Sequence, residues 1–243
     1  MNMAVAMTAY QRPDYLRRTM QSWAQVRGLR ELVFERRVFA EPSPAQAQVA
    51  QEIREHSEWA LTWNETRLGV LVNPVEAIAA MFRERPGLDF VVLAEDDVVV
   101  ASDVLEYFAW AAAEFRADQS VSVVCAHRPQ ATLVEHPRDE AAVKYLGFSC
   151  PLVWGTWRDR WESFIEPTWD RDYRNRGWDW NLVMLMKAGG KHSIFPEQNR
   201  SDHIGEQGGA HCTPAMFPET VDPQFREDIP PCAYRLVEGP ALW

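Results

Sequence analysis

Three carboxylates stand side by side in Glu95-Asp96-Asp97, directly after the apolar run Phe90-Val91-Val92-Leu93-Ala94 and just before Val98-Val99-Val100. Adjacent carboxylates repel one another and lose hydration where they face a core. A divalent cation relieves both problems, because hard ions take oxygen ligands. The other reading is a solvated turn between two strands; the apolar flanks tie the acids to the edge of a core and favour the metal site. Arg12, in Tyr10-Gln11-Arg12, follows the first apolar stretch of the chain. An arginine beside metal-binding carboxylates suits a phosphate-bearing substrate, since its forked donors add to the charge of the ion. Standing alone, it reads as a surface arginine. Asp179 lies between Trp178 and Trp180 at a helix start. The helix terminus favours its charge and the indoles would exclude water, which suits a general base. On these residues alone, an ordinary aspartate of a first helical turn is the favoured reading. His203 precedes Gly205 and Gly208-Gly209, glycines that would make the loop a flexible flap; taken alone it reads as a structural histidine, and His211 is a weaker candidate still.

The elements that must position these groups follow from the pattern around them. A run buried on both faces and ending in acids reads as a strand of a mostly parallel sheet, and such sheets bind ligands at the carboxyl ends of their strands. Asn2 to Thr8 reads as the first strand. Pro13 opens a helix with Leu16, Met20 and Trp23 along one stripe. Glu31 to Ala40 is the next strand region. Ser43-Pro44 and Asn73-Pro74 open two more helices, the second with Val75, Ile78 and Phe82 inward. After the acidic strand, Ala101-Ser102-Asp103 starts a helix with Leu105, Phe108, Ala112 and Phe115 facing the core. Val121 to Ala126 is a further strand. This alternation predicts an α/β sheet with helices on both faces. His127 to Trp157 reads as irregular. A helix with Leu182, Leu185 and Met186 on one side follows Trp178-Asp179-Trp180 and ends at Gly189-Gly190. From Pro214 on, proline and acid accumulate in a tail that either wraps over the surface or orders on binding.

The chain has 243 residues and a formal charge of -10, which argues against a protein that follows a nucleic-acid backbone. Its 11 tryptophans include Trp154, Trp157 and Trp178, which suit stacking on sugar faces as well as core packing. Cys125, Cys150, Cys212 and Cys232 lack metal-ligand spacing and read as buried reduced thiols. Met1 to Tyr10 is too short for a secretory signal and lacks a basic lead, and no apolar run reaches the length of a membrane span. A soluble, cytoplasmic protein is the expectation.

Several of these islands together resemble a known family. A first strand ending near Arg12-Pro13-Asp14-Tyr15-Leu16-Arg17-Arg18, with an acidic triplet closing a later strand, looks like a nucleotide-sugar glycosyltransferase of the GT-A fold. The triplet Glu-Asp-Asp is the form found in the N-acetylglucosaminyltransferase I family and its protein-O-mannose relatives. Pro196-Glu197-Gln198-Asn199-Arg200-Ser201-Asp202-His203-Ile204-Gly205, with Gly208, resembles that family's Pro-Glu-x-x-Arg-Thr-x-x-Phe-Gly-x-x-Gly segment. Trp154 and Trp161 keep the separation of two family tryptophans. Trp178-Asp179-Trp180 resembles the family's Trp-Asp-Asp-Trp, which carries the catalytic aspartate. Here Trp180 replaces the second Asp, so Asp179 matches either family aspartate, with Trp178 before it favouring the first. The resemblance spans roughly residues 1 to 215.

The resemblance implies a Rossmann-like mixed sheet flanked by helices in one catalytic domain over residues 1–243. A nucleotide-sugar half (1–100), an acceptor and catalytic half (101–213) and a tail (214–243) would divide it. It implies Asp97 as the direct ligand of Mn²⁺ or Mg²⁺, His203 as a second ligand, and Glu95 and Asp96 as contacts to the donor sugar and ribose. Glu41 would contact the base, Arg12 the diphosphate and Trp178 the donor, with Asp179 as the catalytic base. The implied activity is metal-dependent inverting transfer of a sugar, GlcNAc by resemblance, from a UDP-sugar to a carbohydrate or other hydroxyl-bearing acceptor. UDP-glucose or UDP-galactose as donor, or a non-catalytic nucleotide-sugar-binding module, are the rival readings. The acidic balance argues against a nucleic-acid acceptor. No membrane anchor or stem precedes the domain, unlike the Golgi members, so the acceptor need not be theirs.

Overall fold

The computed structural model describes residues 1–128, 138–147, 152–172, 177–209 and 212–237. Strand β1 (Met3–Ala9) is buried along its whole length. Its residues alternate in size instead of polarity: Met3, Val5 and Met7 enter one apolar cluster, and Ala4 and Ala6 enter the other. A strand covered on both faces is the expected companion of a parallel sheet. Strand β2 (Val33–Ala40) and the acidic strand β4 (Phe90–Glu95) pair parallel with β1 on its two sides, and β3 (Ala60–Trp63) continues the sheet beyond β2.

Helices α1 (Pro13–Trp23), α2 (Gln46–Arg54) and α4 (Val104–Glu114) cover one face. Helices α3 (Asn73–Glu84) and α7 (Trp178–Ala188) cover the other. Pro13 and Pro74 lie in the first turns of α1 and α3, where the missing N–H leaves no bond unmade. The Ser43-Pro44 helix starts later than expected, at Gln46, because the Gln46 amide first closes a turn on the Ser43 carbonyl at 3.1 Å. Asp103 stands at the start of α4 but does not cap it with its side chain. Its carboxylate accepts instead from Arg200 Nε (2.9 Å) and the Tyr234 hydroxyl (2.7 Å).

The sheet is mixed and nine-stranded, in the order β11-β7-β9-β6-β8-β4-β1-β2-β3. Here the structure corrects the irregular reading of residues 127–157, which hold β7 (Ala142–Leu146) and β8 (Val153–Trp157). Strand β8 runs antiparallel between β4 and β6 (Val121–Cys125), at the centre of the sheet. Gly155 weakens its strand signature, yet a Cβ there would enter the Phe90 ring, so glycine is the residue that lets β8 close on β4. Trp154, Trp157 and Trp161 are core residues, with Trp157 Nε1 donating to the Ala112 carbonyl at 2.9 Å. Burial therefore removes Trp154 and Trp157 from the sugar-stacking candidates.

After β8 the chain runs through α5 (Arg158–Arg160), a π-helical turn (Trp161–Ile165) and α6 (Glu166–Thr168). Beyond α7, β9 (His192–Pro196) joins the sheet between β6 and β7. Strand β10 (Ser201–His203) pairs antiparallel with β5 (Val98–Val100) in a separate two-stranded sheet. The tail lies on the surface through Val237. Ile229 is buried there, and β11 (Arg235–Leu236) pairs with β7. Among the described cysteines Cys125 is buried, whereas Cys212 and Cys232 are partly exposed, which corrects the expectation of uniformly buried thiols. Cys150 lies outside the described residues.

Candidate active site

Register brings the chemistry together. Thr8 pairs with Glu95 across β1 and β4, and Ala9 pairs with Ala40 across β1 and β2. The three strands therefore end side by side, delivering Tyr10-Gln11-Arg12, Glu41 and the acidic triplet to one edge. The pairing of β5 with β10 sets His203 opposite Val98, and α7 presents its first turn from the far side. Arg12, Glu41, Glu95, Asp96, Asp97, Trp178, Asp179 and His203 all line one cavity of about 520 Å³, a size usual for small-molecule sites.

Within the triplet the acids differ in what already holds them. Asp96 accepts from the Tyr10 amide (2.9 Å) and from Arg12 Nη2 (2.9 Å), and its carbonyl accepts from the Thr19 hydroxyl at 3.0 Å. Glu95 accepts from Trp178 Nε1 at 3.2 Å. Asp97 Oδ2 meets Arg12 Nη2 at 2.8 Å and His203 Nε2 at 3.2 Å, while its buried Oδ1 has no protein partner. Burial, reinforced by the charges of Asp97 and Asp96, pushes Glu95 up to about 8. Burial also lifts Asp96 to about 6 against the pull of Arg12. For Asp97 burial acts in the same upward direction, but the His203 hydrogen bond and Arg12 outweigh it and hold the carboxyl below its usual range. Arg12 is shifted upward: burial opposes its charge, and Asp96 and Asp97 more than compensate. Its Nη1 is buried without a partner, a donor left over for a ligand.

These residues fit a divalent ion held mainly by a substrate. No group of three or more His, Cys, Asp or Glu among the described residues forms a cage. Asp97 and His203 nevertheless converge, and Gly205 leaves open the space beside them. A Cβ on Gly205 would stand 2.8 Å from His203 Nε2 and nearer still to Asp97 Oδ2. Two protein ligands, with phosphate oxygens and water completing the shell, is a common arrangement for Mg²⁺-type sites.

Glu41 is buried, and its Oε1 accepts from the backbone amides of Leu68 (2.8 Å) and Gly69 (2.6 Å). Half of this carboxylate thus holds the 68–69 turn, while Oε2 faces Arg67 Nε at 3.9 Å. Sequence reasoning missed Arg67, whose guanidinium stacks on the Tyr10 ring at 4.4 Å beside Glu41; a single arginine in a turn carries no local signal. It also missed Thr220, whose hydroxyl lies 2.8 Å from His203 Nδ1. Asp179 is partly buried in the first turn of α7. Trp178 is buried beside it, but Trp180 is 39% exposed, so one indole shields the carboxylate and not two. Arg200, in the Pro196–Gly205 segment, is fully buried against Asp103 and serves the fold. His211 lies outside the described residues.

The family pattern described as the GNT-I family matches residues 76–217, more than half of the chain and including the acidic triplet, Asp179 and His203. The chain belongs to the GNT-I family. Its fold is that of the GT-A glycosyltransferases. Solved structures similar to this GNT-I family chain agree on the fold. TarS 1–349 of S. aureus superposes with a TM-score of 0.58 at 12% identity, covering 88% of this chain and 60% of that one. The same protein in complex with UDP gives 0.54 at 13% identity, over 83% and 60%. The mannosyltransferase PcManGT of Pyrobaculum calidifontis, in complex with GDP-Man and Mn²⁺, gives 0.57 at 18% identity, over 85% and 58%. The chain thus spans about 60% of the length of these solved structures. No helix among its described residues is long and apolar enough to cross a membrane.

Proposed function

We propose that this GNT-I family chain is a metal-dependent, inverting glycosyltransferase that moves GlcNAc from UDP-GlcNAc to an acceptor hydroxyl. The observation that carries the reading is the convergence of a strand-end carboxylate with an open oxygen (Asp97), a histidine (His203) and an arginine with an open donor (Arg12) on one cavity. A divalent cation bound by Asp97 and His203 would stabilise, as a Lewis acid, the charge that develops on the departing diphosphate. Arg12 keeps one donor for the phosphate oxygens while its other nitrogen aligns Asp96 and Asp97. Glu41, which can only accept, suits a ring N–H such as that of uracil, and its backbone bonds hold it rigid for that contact. Trp178 fixes Glu95 at the wall where the donor sugar would lie.

Inversion requires a base on the opposite face of the sugar from the leaving group. Asp179 supports that role: it lines the same cavity from α7, its charge is favoured at the helix start, and the buried indole of Trp178 keeps water from one side. The acceptor would enter past the exposed Trp180 and Met216, which line the cavity mouth. The reading is tested by donor turnover over UDP- and GDP-sugars, with Mn²⁺ or with chelator, alongside calorimetric donor affinity. Asp179→Asn keeps shape but cannot take the proton, so turnover falls by about a hundred- to ten-thousand-fold, with donor affinity nearly unchanged. Parent-rate transfer by that variant would remove Asp179 from the mechanism, and metal-independent UDP binding would remove the cation.

A further inference from the structure

Thr220 lies just past the segment that the family pattern matches, in the tail, yet it touches the site. Its hydroxyl donates its one proton to the Phe217 carbonyl at 2.8 Å. Toward His203 Nδ1, at 2.8 Å, the same oxygen therefore has only lone pairs to offer. Nδ1 must carry a proton for that contact to be a hydrogen bond. Nε2 is then the ring nitrogen left for a cation beside Asp97 Oδ2, 3.2 Å away, where the Gly205 backbone leaves room; a cation lying between the two replaces the hydrogen bond by which His203 meets Asp97 in the ligand-free chain. The Phe217 ring packs against the imidazole with centroids 5.4 Å apart and limits its rotation.

The segment carrying these contacts is itself pinned. The Asp222 amide donates to Asp202 Oδ1 at 2.8 Å, and the Asp222 carboxylate forms a buried ion pair with Arg138. Ile229 is buried farther along, with its carbonyl accepting from Arg27 Nη1 at 2.8 Å. Residues 217–222 are thus held on β10 at both Asp202 and His203. Histidines that bind metals commonly give their other N–H to a partner that sets tautomer and ring angle, and losing that partner typically weakens metal binding about 10- to 100-fold.

We propose that Thr220 is a positioning residue that locks His203 in its Nδ1–H tautomer, so that the tail completes a divalent-cation site whose direct ligands are Asp97 and His203. This rests on reading His203 as a ligand. The test uses the full chain with Thr220→Val, which removes the hydroxyl at nearly constant size, Thr220→Ser, which restores it, and His203→Ala. Nitrogen-15 NMR of the histidines, with Mg²⁺ and UDP bound, reads the tautomer, and Mn²⁺ binding in the presence of UDP is followed by electron paramagnetic resonance. The expected result is Nδ1–H for His203 in the parent and the Ser variant, and loss of that preference in the Val variant. Mn²⁺ affinity falls about 10- to 100-fold in Thr220→Val, recovers in Thr220→Ser, and is not lowered further when Thr220→Val is added to His203→Ala. If His203→Ala leaves Mn²⁺ affinity unchanged, the ligand reading itself is wrong and the proposal falls with it. If His203→Ala weakens binding while Thr220→Val does not, or if the Val variant keeps the Nδ1–H tautomer, the positioning role alone is overturned.

Discussion

Gly205→Ala puts the proposed cation site to a steric test. A Cβ at this position would sit 2.8 Å from Asp97 Cγ and 2.8 Å from His203 Nε2, where ordinary contact begins at 3.4 Å. Both neighbours are buried, Asp97 is also held by Arg12, and His203 by Thr220, so neither moves freely. Asp97 Oδ2 lies closer still, so Asp97, or the backbone, must yield by more than about 0.6 Å, beyond the roughly 0.5 Å that a functional constellation tolerates. Overpacking of this kind costs about 1–3 kcal/mol. For a chain of this size each kcal/mol lowers Tm by about 2–4 °C. The larger expected effect is on ligand binding: the Mn²⁺-dependent part of UDP affinity falls by about tenfold or more, since spreading the two ligands apart costs at least roughly 1.4 kcal/mol of binding energy. Gly87→Ala is the control, because its Cβ would meet nothing nearer than Asn2 Nδ2 at 3.9 Å. Isothermal calorimetry of UDP with and without Mn²⁺, paired with thermal unfolding of the ligand-free protein, separates the two effects. A Gly205→Ala protein that keeps the parent's Mn²⁺-dependent UDP affinity would refute the convergence of Asp97 and His203 on a cation.

Two further outcomes follow from the charges around the same cavity. Glu95 rises in the folded protein from 4.5 to about 8, and Asp96 rises to about 6, so the native state holds protons that the unfolded chain has released. Stability of the metal-free protein therefore falls as pH rises from about 4.5 to about 8, and Glu95→Gln flattens the upper part of that slope. Asp97, shifted down, acts with the opposite sign and only at more acidic pH. Tm measured across pH 5 to 8 in chelator checks this, and a parent slope unchanged by Glu95→Gln would contradict it. Arg12→Lys keeps the charge but loses the fork in which Nη2 meets Asp96 and Asp97 while Nη1 stays open for phosphate. Charged hydrogen bonds contribute about 1.5–3 kcal/mol, so UDP affinity should fall roughly ten- to a hundredfold; calorimetric affinity within twofold of the parent would show that Arg12 serves the carboxylates alone.

What the sequence determined by itself was local. A β-branched apolar run favours a covered strand, and that cover ties the acids at its end to a core edge instead of a solvated turn; β4 and the Glu95-Asp96-Asp97 turn are where that reasoning put them. Proline placement located α1 and α3, and short motifs marked the family islands, because such signals act within a few residues. Tertiary structure decided which distant pieces meet. Strand β8 carried too little strand character to be seen, since Gly155 answers to the Phe90 ring of another strand. Asp97 and His203 lie 106 residues apart in sequence, and their approach depends on the β5–β10 pairing. Glu41 is held by backbone amides, and Thr220 acts through a carbonyl that occupies its proton. Backbone groups are the same at every position and leave no trace in residue identity. Nor does a local pattern state which acid of a triplet keeps an open oxygen: Asp96 has both carboxylate oxygens engaged and Asp97 does not because Tyr10 and Arg12 come from a neighbouring strand end, a matter of global packing.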